Sequence, residues 1–174
     1  LRIGGNLIIT NDQGEFYLNN LQENQAVIDI DKTTIPFGMI SSEGYSIKVN
    51  TLKKRNNVTI KLLNSTSIAG VTEIVRTGLL KSTMPDYNAI SIRIVSVESG
   101  DELYTSFKAD GSYDFRALKA GNYRLYFIQA PTSKRMWSIN PSEYEFELKT
   151  GQTKAINIQL IENTVTIKMQ QYSK

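Results

Sequence analysis

The sequence predicts an all-β protein made of two tandem β-sandwich repeats, the first of which is incomplete at its amino end. Composition supports this, because isoleucine occurs 20 times and alanine only 8 times. β-Branched side chains fit a pleated surface, whereas alanine favours helices. Short segments in which apolar and polar residues alternate also run through the chain, as expected for half-buried strands. The pattern returns after about 98 residues, which indicates two copies of one domain.

The repeat is clearest around a turn that contains glycine. Residues 11–21 align with residues 109–118, with one residue fewer in the second turn, and Gly14 falls on Gly111. Aligned positions differ by 97 here, by 99 in a later strand and by 98 in the last strand, which indicates small insertions in loops. The matched apolar residues are Phe16 with Tyr113, Leu18 with Phe115, Leu21 with Leu118, Ile47 with Phe146, Val49 with Leu148, Val58 with Ile156 and Ile60 with Ile158.

The first copy contains five predicted strands. A short apolar segment, 7–9, leads to the turn at 11–14, where Asp12 and Gly14 suit the positive φ of a hairpin. The next strand passes through Phe16 and Leu18, with its polar residues on the opposite face. The remaining predicted strands are 26–30, 45–49 and 58–62, the last two being joined by the polar turn 51–57.

The second copy contains counterparts of these five strands and two more before them. Seven short strands in about 95 residues indicate a Greek-key sandwich of the immunoglobulin-like or transthyretin-like kind. The predicted strands are 68–75, 90–95, 102–107, 113–118, 123–127, 144–148 and 156–160.

These predictions divide the chain into three parts. Residues 1–64 form the incomplete first repeat, residues 65–163 the seven-stranded second repeat, and residues 164–174 a C-terminal strand. Counted back by 97 positions, the two early strands of the first repeat would precede Leu1. A sandwich without them exposes strand edges and an apolar face. The C-terminal strand is expected either to begin a third repeat or to complete that open edge, and the chain to be a processed product or a piece of a longer protein.

The residue types that are missing exclude most familiar catalytic machinery. Without cysteine or histidine there are no disulfides, thiolate nucleophiles or Ser-His-Asp triads, and no zinc or iron site built on imidazole or sulfur. We therefore expect neither enzyme activity nor a cofactor. The net charge of +3 is too small to indicate nucleic-acid binding. No apolar run approaches the 18 residues of a membrane span, so direct membrane insertion is not expected.

The best candidate for a ligand contact is a basic segment beside the only tryptophan. Lys134, Arg135 and Trp137 offer positive charge and an indole face, which suit a glycan or an anionic polymer. A solvated loop is the simpler interpretation, as it is for the basic run 53–55. No metal site is predicted, because single aspartates in turns lack the alternating carboxylates that calcium requires. The carboxylates considered are Asp12, Asp101 and Asp110 in turns, and Asp29, Asp31, Glu143, Glu145 and Glu147 on solvent-facing strand positions.

Two strings in the second copy support a family resemblance. DGSYDF at 110–115, followed by LKAGNYRL at 118–125, resembles the D-G-x-Y-x-F-x-x-L-x-x-G-x-Y-x-L pattern of carboxypeptidase regulatory-like, Cna B-type and SdrD B-like repeats. In the first copy, residues 28–38 are similar to the V-D-x-x-x-L-P-x-G segment of SdrD-like repeats. The resemblance implies a seven-stranded module that serves as a stalk, spacer or accessory domain in secreted and surface-anchored bacterial proteins, usually in tandem and without catalysis.

One property of Cna B-type modules does not carry over to this sequence. These modules often contain a Lys–Asn isopeptide bond promoted by a buried glutamate. GNYRLYFIQAP at 121–131 resembles the family strand G-x-Y-x-L-x-E-x-x-A-P, but Phe127 stands at the glutamate position. The first strand of the copy, 68–75, contains no lysine. We therefore expect no isopeptide in the second repeat, and Asn157 is predicted to be an ordinary strand residue.

The sequence thus predicts a non-enzymatic structural or interaction module, a stalk or adhesin segment of a larger secreted or cell-surface bacterial protein. Its expected partners are other domains of the same polypeptide and a host or cell-surface protein or glycan. The alternative is a carbohydrate- or protein-binding accessory domain of a secreted enzyme or of an outer-membrane transport or secretion assembly. In that case the segment around Trp137 would provide the contact.

Overall fold

The computed structural model describes residues 1–4, 6–17, 25–51, 57–76 and 84–164, and it is all-β, as predicted. The chain divides into two units. The first contains Leu1–Ser65 with Ala117–Lys119, and the second contains Thr66–Arg116 with the chain from Ala120 onward. Within the described ranges, no helix has the length and hydrophobicity of a membrane crossing.

The first unit contains a four-stranded antiparallel sheet and a separate antiparallel pair. The strands are β1 (Arg2–Ile3), β2 (Asn6–Leu7), β3 (Gln25–Asp29), β4 (Met39–Ser41), β5 (Ser46–Asn50) and β6 (Leu62–Asn64). The sheet order is β2-β1-β3-β5, and β4 pairs with β6. A 3₁₀ turn over Lys32–Thr34 follows β3 and is capped by the Asp31 carboxylate, which accepts from the Thr33 amide.

The second unit is built from two sheets. Its elements are β7 (Thr66–Val75), β8 (Ile90–Ser96), β9 (Glu102–Ser106), β10 (Ser112–Leu118), β11 (Gly121–Gln129), α1 (Pro131–Met136), β12 (Trp137–Asn140), β13 (Glu143–Leu148), β14 (Thr153–Ala155) and β15 (Ile158–Glu162). One sheet has the order β9-β8-β11-β13 and is antiparallel throughout. The other has the order β10-β7-β15-β12, with β14 also paired to β7.

Apolar residues at alternate positions along these strands form the core of the second unit. In β8 the isoleucines at every second position are buried, and in β11 the same holds for alternate apolar residues, as period-2 geometry requires. Aromatic rings fill the centre: Phe107 stacks on Phe127 with centroids 6.1 Å apart, and the edge of Tyr113 meets both rings. Phe115 and Leu118 are both buried, as predicted.

Several sequence predictions need correction. The last strand of the second repeat is divided into β14 and β15, and β1, β4, α1 and β12 were not predicted. In the first unit, residues 15–17 and 57–61 are not in strands, although 57–61 alternate between exposed and half-buried positions. The predictions for Leu18, Leu21, the basic run 53–55 and residues 165–174 lie outside the described part of the chain.

The glycine turns of the two units have the same hydrogen bonds, shifted by 97 residues. The Gly14 amide donates to the Asn11 carbonyl and the Asn11 amide to Glu15, at 2.9 Å each. The Gly111 amide donates to Lys108 at 2.9 Å, and the Lys108 amide to Ser112 at 2.8 Å. Both glycines have φ near +77°, at 78° and 76°. The second turn is therefore not one residue shorter, and Lys108 is the counterpart of Asn11.

Strand register extends this correspondence to a whole sheet. Ala26 lies opposite Val49 in the first unit, and 97 residues later Tyr123 lies opposite Phe146. The predicted offset of 99 in this strand is wrong, because it would place Leu148 at the position of Val49. Leu7 corresponds to Tyr104 at the same offset, since each lies opposite an arginine in the neighbouring strand. The sheet β2-β1-β3-β5 is thus a second copy of β9-β8-β11-β13.

The pair β4–β6 corresponds to β12–β15. Ser41 lies opposite Leu62 in the first pair, and 98 residues later Ile139 lies opposite Leu160 in the second. This shift agrees with the predicted offset for the last strand. The first unit therefore has counterparts of six strands of the second, and no described strand of the first unit takes the position of β7.

Candidate functional site: the seam between the first and last strands

The first and the last described strands of the second unit, β7 and β15, pair in parallel. Ser67 lies opposite Thr153 at one end of the seam, and Val75 lies opposite Ile161 at the other. Side chains reinforce the ladder, since the Ser67 and Thr153 hydroxyls share a hydrogen bond of 2.8 Å. We call the paired strands β7, β14 and β15 the terminal seam.

The seam is interrupted once, between β14 and β15, and other groups take over the hydrogen bonding there. The Ile156 amide donates to the Ala69 carbonyl at 3.0 Å. The next amide along β7, that of Val71, donates to the side-chain oxygen of Asn157 at 3.2 Å. The Ile156 carbonyl accepts from the buried Tyr113 hydroxyl at 2.8 Å. The amide and the carbonyl of the buried Ile156 are therefore both paired at the break, as buried backbone groups must be.

Gly70 makes this arrangement possible. A Cβ atom on Gly70 would collide with the Ile156 carbonyl oxygen and would lie 2.5 Å from Cε1 of Tyr113. Glycine within a strand commonly marks such a close approach. Burial raises the pKa of the Tyr113 hydroxyl well above its ordinary value of 10.0, so the hydroxyl remains a proton donor at neutral pH.

The other edge of β7 is anchored to the glycine turn. The Thr72 amide donates to the Gly111 carbonyl at 3.0 Å, and the Thr72 hydroxyl shares a hydrogen bond of 2.9 Å with Tyr87. A Cβ atom on Gly111 would lie 2.5 Å from the Tyr87 hydroxyl. β7 is thus held on both sides, by the seam and by the turn that precedes β10.

The structure places Trp137 of the predicted ligand contact in a strand and in the core, and Lys134 and Arg135 in a short helix, rather than in a loop. Trp137 is 3% exposed and begins β12, where its carbonyl accepts from the Gln129 side chain at 3.1 Å. Pro131 starts α1, which ends at Met136 and brings the chain into β12. Lys134 is exposed and Arg135 lies on the same helix. Ligand binding by this segment stays a prediction, but a buried indole offers no face for stacking on a sugar.

The carboxylates that the sequence offered as candidate site residues are dispersed over the described part of the chain. Asp29 is exposed and accepts from the Ser46 hydroxyl at 2.5 Å. Asp110 accepts from the amide and hydroxyl of Ser112, and these hydrogen bonds lower the pKa of its carboxyl group. The same occurs at Asp31 with Thr33. In the described ranges no three acidic side chains are grouped as metal ligands would be. The exposed glutamates of β13 are Glu143, Glu145 and Glu147.

The residues that bear on an isopeptide bond have other roles. Phe127, at the family's glutamate position, is buried in the aromatic cluster. Asn157 was predicted to be a strand residue, but it lies in the break between β14 and β15, where it is exposed and accepts from the Val71 amide. The sequence analysis missed the seam itself. Gly70 inside an otherwise strand-like segment was the available signal, but the parallel pairing depends on residues 86 positions apart.

Comparison with known proteins gives weak similarities only. No family model matches the chain, and no curated protein does. Among solved structures, the minor pilin GBS52 of Streptococcus agalactiae is 12% identical with a TM-score of 0.47, over 93% of this chain and 70% of that one. The Bacillus anthracis TIE protein is 18% identical with a TM-score of 0.42, over 89% and 28%. BcpA, the major pilin subunit of Bacillus cereus, is 15% identical with a TM-score of 0.40, over 56% and 29%.

None of these similarities reaches a TM-score of 0.5, so they assign neither a family nor an activity to this chain. The chain also spans less than a third of the TIE protein and of BcpA. What the chain does must therefore be argued from its own contacts.

Proposed function

We propose that this chain is a non-enzymatic structural module, a stalk or adhesin segment of a larger secreted or cell-surface bacterial protein. The observation that carries the proposal is the terminal seam. In the described part of the second unit, the first strand, β7, starts at Thr66 and the last strand, β15, ends at Glu162. Because the two strands are parallel, these points lie at opposite ends of the seam.

This arrangement suits a protein that transmits tension along its chain. Force applied at Thr66 and Glu162 pulls the two strands past each other, so that the hydrogen bonds along the seam share the load. In an antiparallel pair that is pulled from neighbouring ends, the bonds open one at a time. A module loaded in shear therefore resists forced unfolding, which is governed by the unfolding rate rather than by equilibrium stability.

Single-molecule force spectroscopy tests the mechanical part. The natural chain has no cysteine, so attachment points can be introduced in pairs. Ser65→Cys with Asn163→Cys loads the seam in shear. Met136→Cys with Asn163→Cys loads adjacent ends of the antiparallel pair β12–β15, where the Asn163 amide donates to Met136. We expect a rupture force several times higher for the first pair, and equal forces would contradict a load-bearing role.

Labelling of intact cells tests the location. Antibodies raised against the folded chain should bind unpermeabilised cells of the organism that produces it, or its medium, and controls with a cytosolic protein should remain negative. Labelling that requires cell lysis would contradict a surface or secreted module. The accessory-domain alternative predicts glycan or protein binding that Lys134→Ala weakens, whereas a spacer is indifferent to this change.

A further inference from the structure

The outer face of the sheet β9-β8-β11-β13 carries a row of side chains, one from each strand. Tyr104 lies opposite Arg93, Arg93 opposite Tyr126, and Tyr126 opposite Glu143. These residues point away from the core, because their neighbours along β8 and β11 are buried. Adjacent strands are about 4.8 Å apart, so the row is about 14 Å long. We call these four residues the outer row.

Contacts within and beside the outer row hold its planar groups in place. The Arg93 guanidinium lies over the Tyr126 ring, 4.7 Å from the ring centroid. The Tyr104 hydroxyl donates to one carboxylate oxygen of Glu102 at 2.6 Å, and Nη1 of Arg93 lies 3.4 Å from the other. Glu102 therefore links the exposed tyrosine to the arginine. Two rings and a guanidinium held in this way lose little freedom when a ligand binds.

The fold does not require aromatic rings at these positions. The first unit has the same row, in which Leu7 lies opposite Arg2 and Arg2 opposite Asp29. The arginine recurs, but leucine and aspartate take the positions of Tyr104 and Tyr126. A sheet with this register therefore forms without either ring. Tyr104 is also 61% exposed, so its ring packs little in the core and is accessible to a ligand.

The charges around the outer row select an uncharged ligand. Arg93 is paired with Glu102, and in the neighbouring row Arg124 pairs with Glu145 at 3.1 Å. Glu143 adds an exposed carboxylate at the end of the outer row. Each arginine is thus compensated, and a polyanion such as a nucleic acid or a sulfated glycan would meet carboxylates where it needs cations. A neutral ligand meets no such repulsion.

The polarity of the face favours a sugar chain over a protein. The outward side chains of these four strands all lie in the described ranges, and among them only Tyr104 and Ile128 are apolar, large and exposed. The core of a protein interface needs more apolar surface than this. Sugar rings instead present flat C–H faces to aromatic rings, and their hydroxyls pair with guanidinium and carboxylate groups. An extended chain of about three sugars has the length of the row.

We propose that the outer row, together with Glu102, binds a neutral, extended polysaccharide. One sugar ring stacks on Tyr104, and hydroxyls of the chain pair with the Arg93 guanidinium and with the carboxylates beside it. The inference rests on the adhesin part of the proposed function and gives that part its ligand. It does not rest on the load-bearing part.

Affinity electrophoresis tests the proposal. Native gels contain, in turn, hydroxyethyl cellulose, galactomannan or mixed-linkage β-glucan as neutral probes, and dextran sulfate as a polyanion. We expect at least one neutral probe to retard the full chain. Tyr104→Ala should raise the dissociation constant for that probe at least about tenfold, and should leave any retardation by dextran sulfate unchanged. Tyr104→Phe keeps the stacking ring and should change the constant less than about threefold.

Tyr17→Ala is the matched control. Tyr17 is also an exposed tyrosine, and its hydroxyl donates to the glutamate two residues earlier, Glu15, at 3.3 Å. Its removal should leave the retardation unchanged. The urea midpoint of Tyr104→Ala should stay close to that of the natural chain, because the ring is exposed. A loss of binding is then not a loss of folding.

Several outcomes would overturn the proposal. They are retardation by none of the neutral probes, equal effects of Tyr104→Ala and Tyr17→Ala, and an effect of Tyr104→Ala on dextran sulfate alone. A loss in Lys134→Ala but not in Tyr104→Ala would place the contact at α1. If no neutral probe retards the chain and a photoreactive phenylalanine analogue in place of Tyr104 cross-links to a protein on intact cells, the face is a protein-docking surface. None of these results alters the rupture forces or the cell labelling expected of the structural module, so either proposal can fail alone.

Discussion

At the scale of single residues, one buried hydroxyl joins three strands of the second unit. Tyr113 lies in β10, crosses Gly70 of β7 and donates to the Ile156 carbonyl between β14 and β15. The ring is also part of the aromatic cluster with Phe107 and Phe127. Removing any member of this contact should therefore affect the seam.

Tyr113→Phe should lower the free energy of unfolding by about 1–3 kcal/mol, because the Ile156 carbonyl loses its buried donor. The pH dependence gives a second readout. Since burial raises the pKa of Tyr113 in the folded state, its contribution is complete below the ordinary value of 10.0 and is lost as the pH rises above it. Urea denaturation between pH 8 and 11 should show that the free energy of unfolding falls less for Tyr113→Phe than for the natural chain. An equal fall in both proteins would contradict the role given to the Tyr113 hydroxyl.

Gly70→Ala should destabilise the second unit by more than about 3 kcal/mol, since its Cβ would collide with backbone and ring atoms that have little room to move. The measurement is the urea midpoint followed by Trp137 fluorescence. Val71→Ala, at the exposed neighbouring position, is the control and should cost less than about 1 kcal/mol. A small effect at Gly70 would mean that the seam relaxes easily.

The inward phase of β10 gives a second pair of variants. Phe115 is 5% exposed, so Phe115→Ala should cost about 3–5 kcal/mol through lost burial and a cavity. Arg116 is exposed and forms a surface ion pair with Asp114 at 2.7 Å, so Arg116→Ala should cost under about 0.5 kcal/mol. Urea denaturation of both variants checks the phase, which would be inverted if Arg116→Ala were the more damaging.

At the scale of elements, the sequence patterns predicted long amphipathic strands well and short or buried ones poorly. β8 and β11 alternate over seven or more residues, which is a strong signal. β12 has four residues and α1 has six, too few for a periodic pattern. Trp137 was predicted to lie in a loop because of its basic neighbours, and only the packing of β12 on β15 places it in the core.

The two glycine turns offer a comparison of one substitution in two surroundings. Both glycines have positive φ, so alanine should cost about 1–2 kcal/mol in each turn from backbone strain. At Gly14 a Cβ atom would meet nothing within 4 Å, whereas at Gly111 it would meet Thr72 and Tyr87. Gly111→Ala should therefore cost at least about 2 kcal/mol more than Gly14→Ala. Thermal unfolding followed by circular dichroism measures both, and equal shifts would contradict the anchoring of β7 at Gly111.

At the scale of the whole molecule, two units with the same sheet differ in how well that sheet is covered. Phe146 is 7% exposed in the second unit, whereas its counterpart Val49 in the first unit is half-buried. The repeat was visible in the sequence because turn and core residues recur. Its exact offset was not, because pairing register is a property of two strands and not of either one alone.

Hydrogen exchange should resolve this difference in coverage. Amides of β3 and β5 should exchange at least about tenfold faster than those of β11 and β13 in a dilute sample, because local opening needs less free energy where fewer apolar contacts are broken. The control is the β8–β9 pair, which should match β11. Equal protection in the two sheets would show that the first unit is as well covered as the second.

The parallel seam also determines how far the second unit can lengthen under load. The 97 residues from Thr66 to Glu162 are held between two points about 30 Å apart, given the rise of a ten-residue strand. Fully extended, the same residues would span about 330 Å. If the seam ruptures under load, the module lengthens roughly tenfold without breaking a covalent bond. Each additional module would therefore add both a short increment of reach and a long reserve of extensible chain.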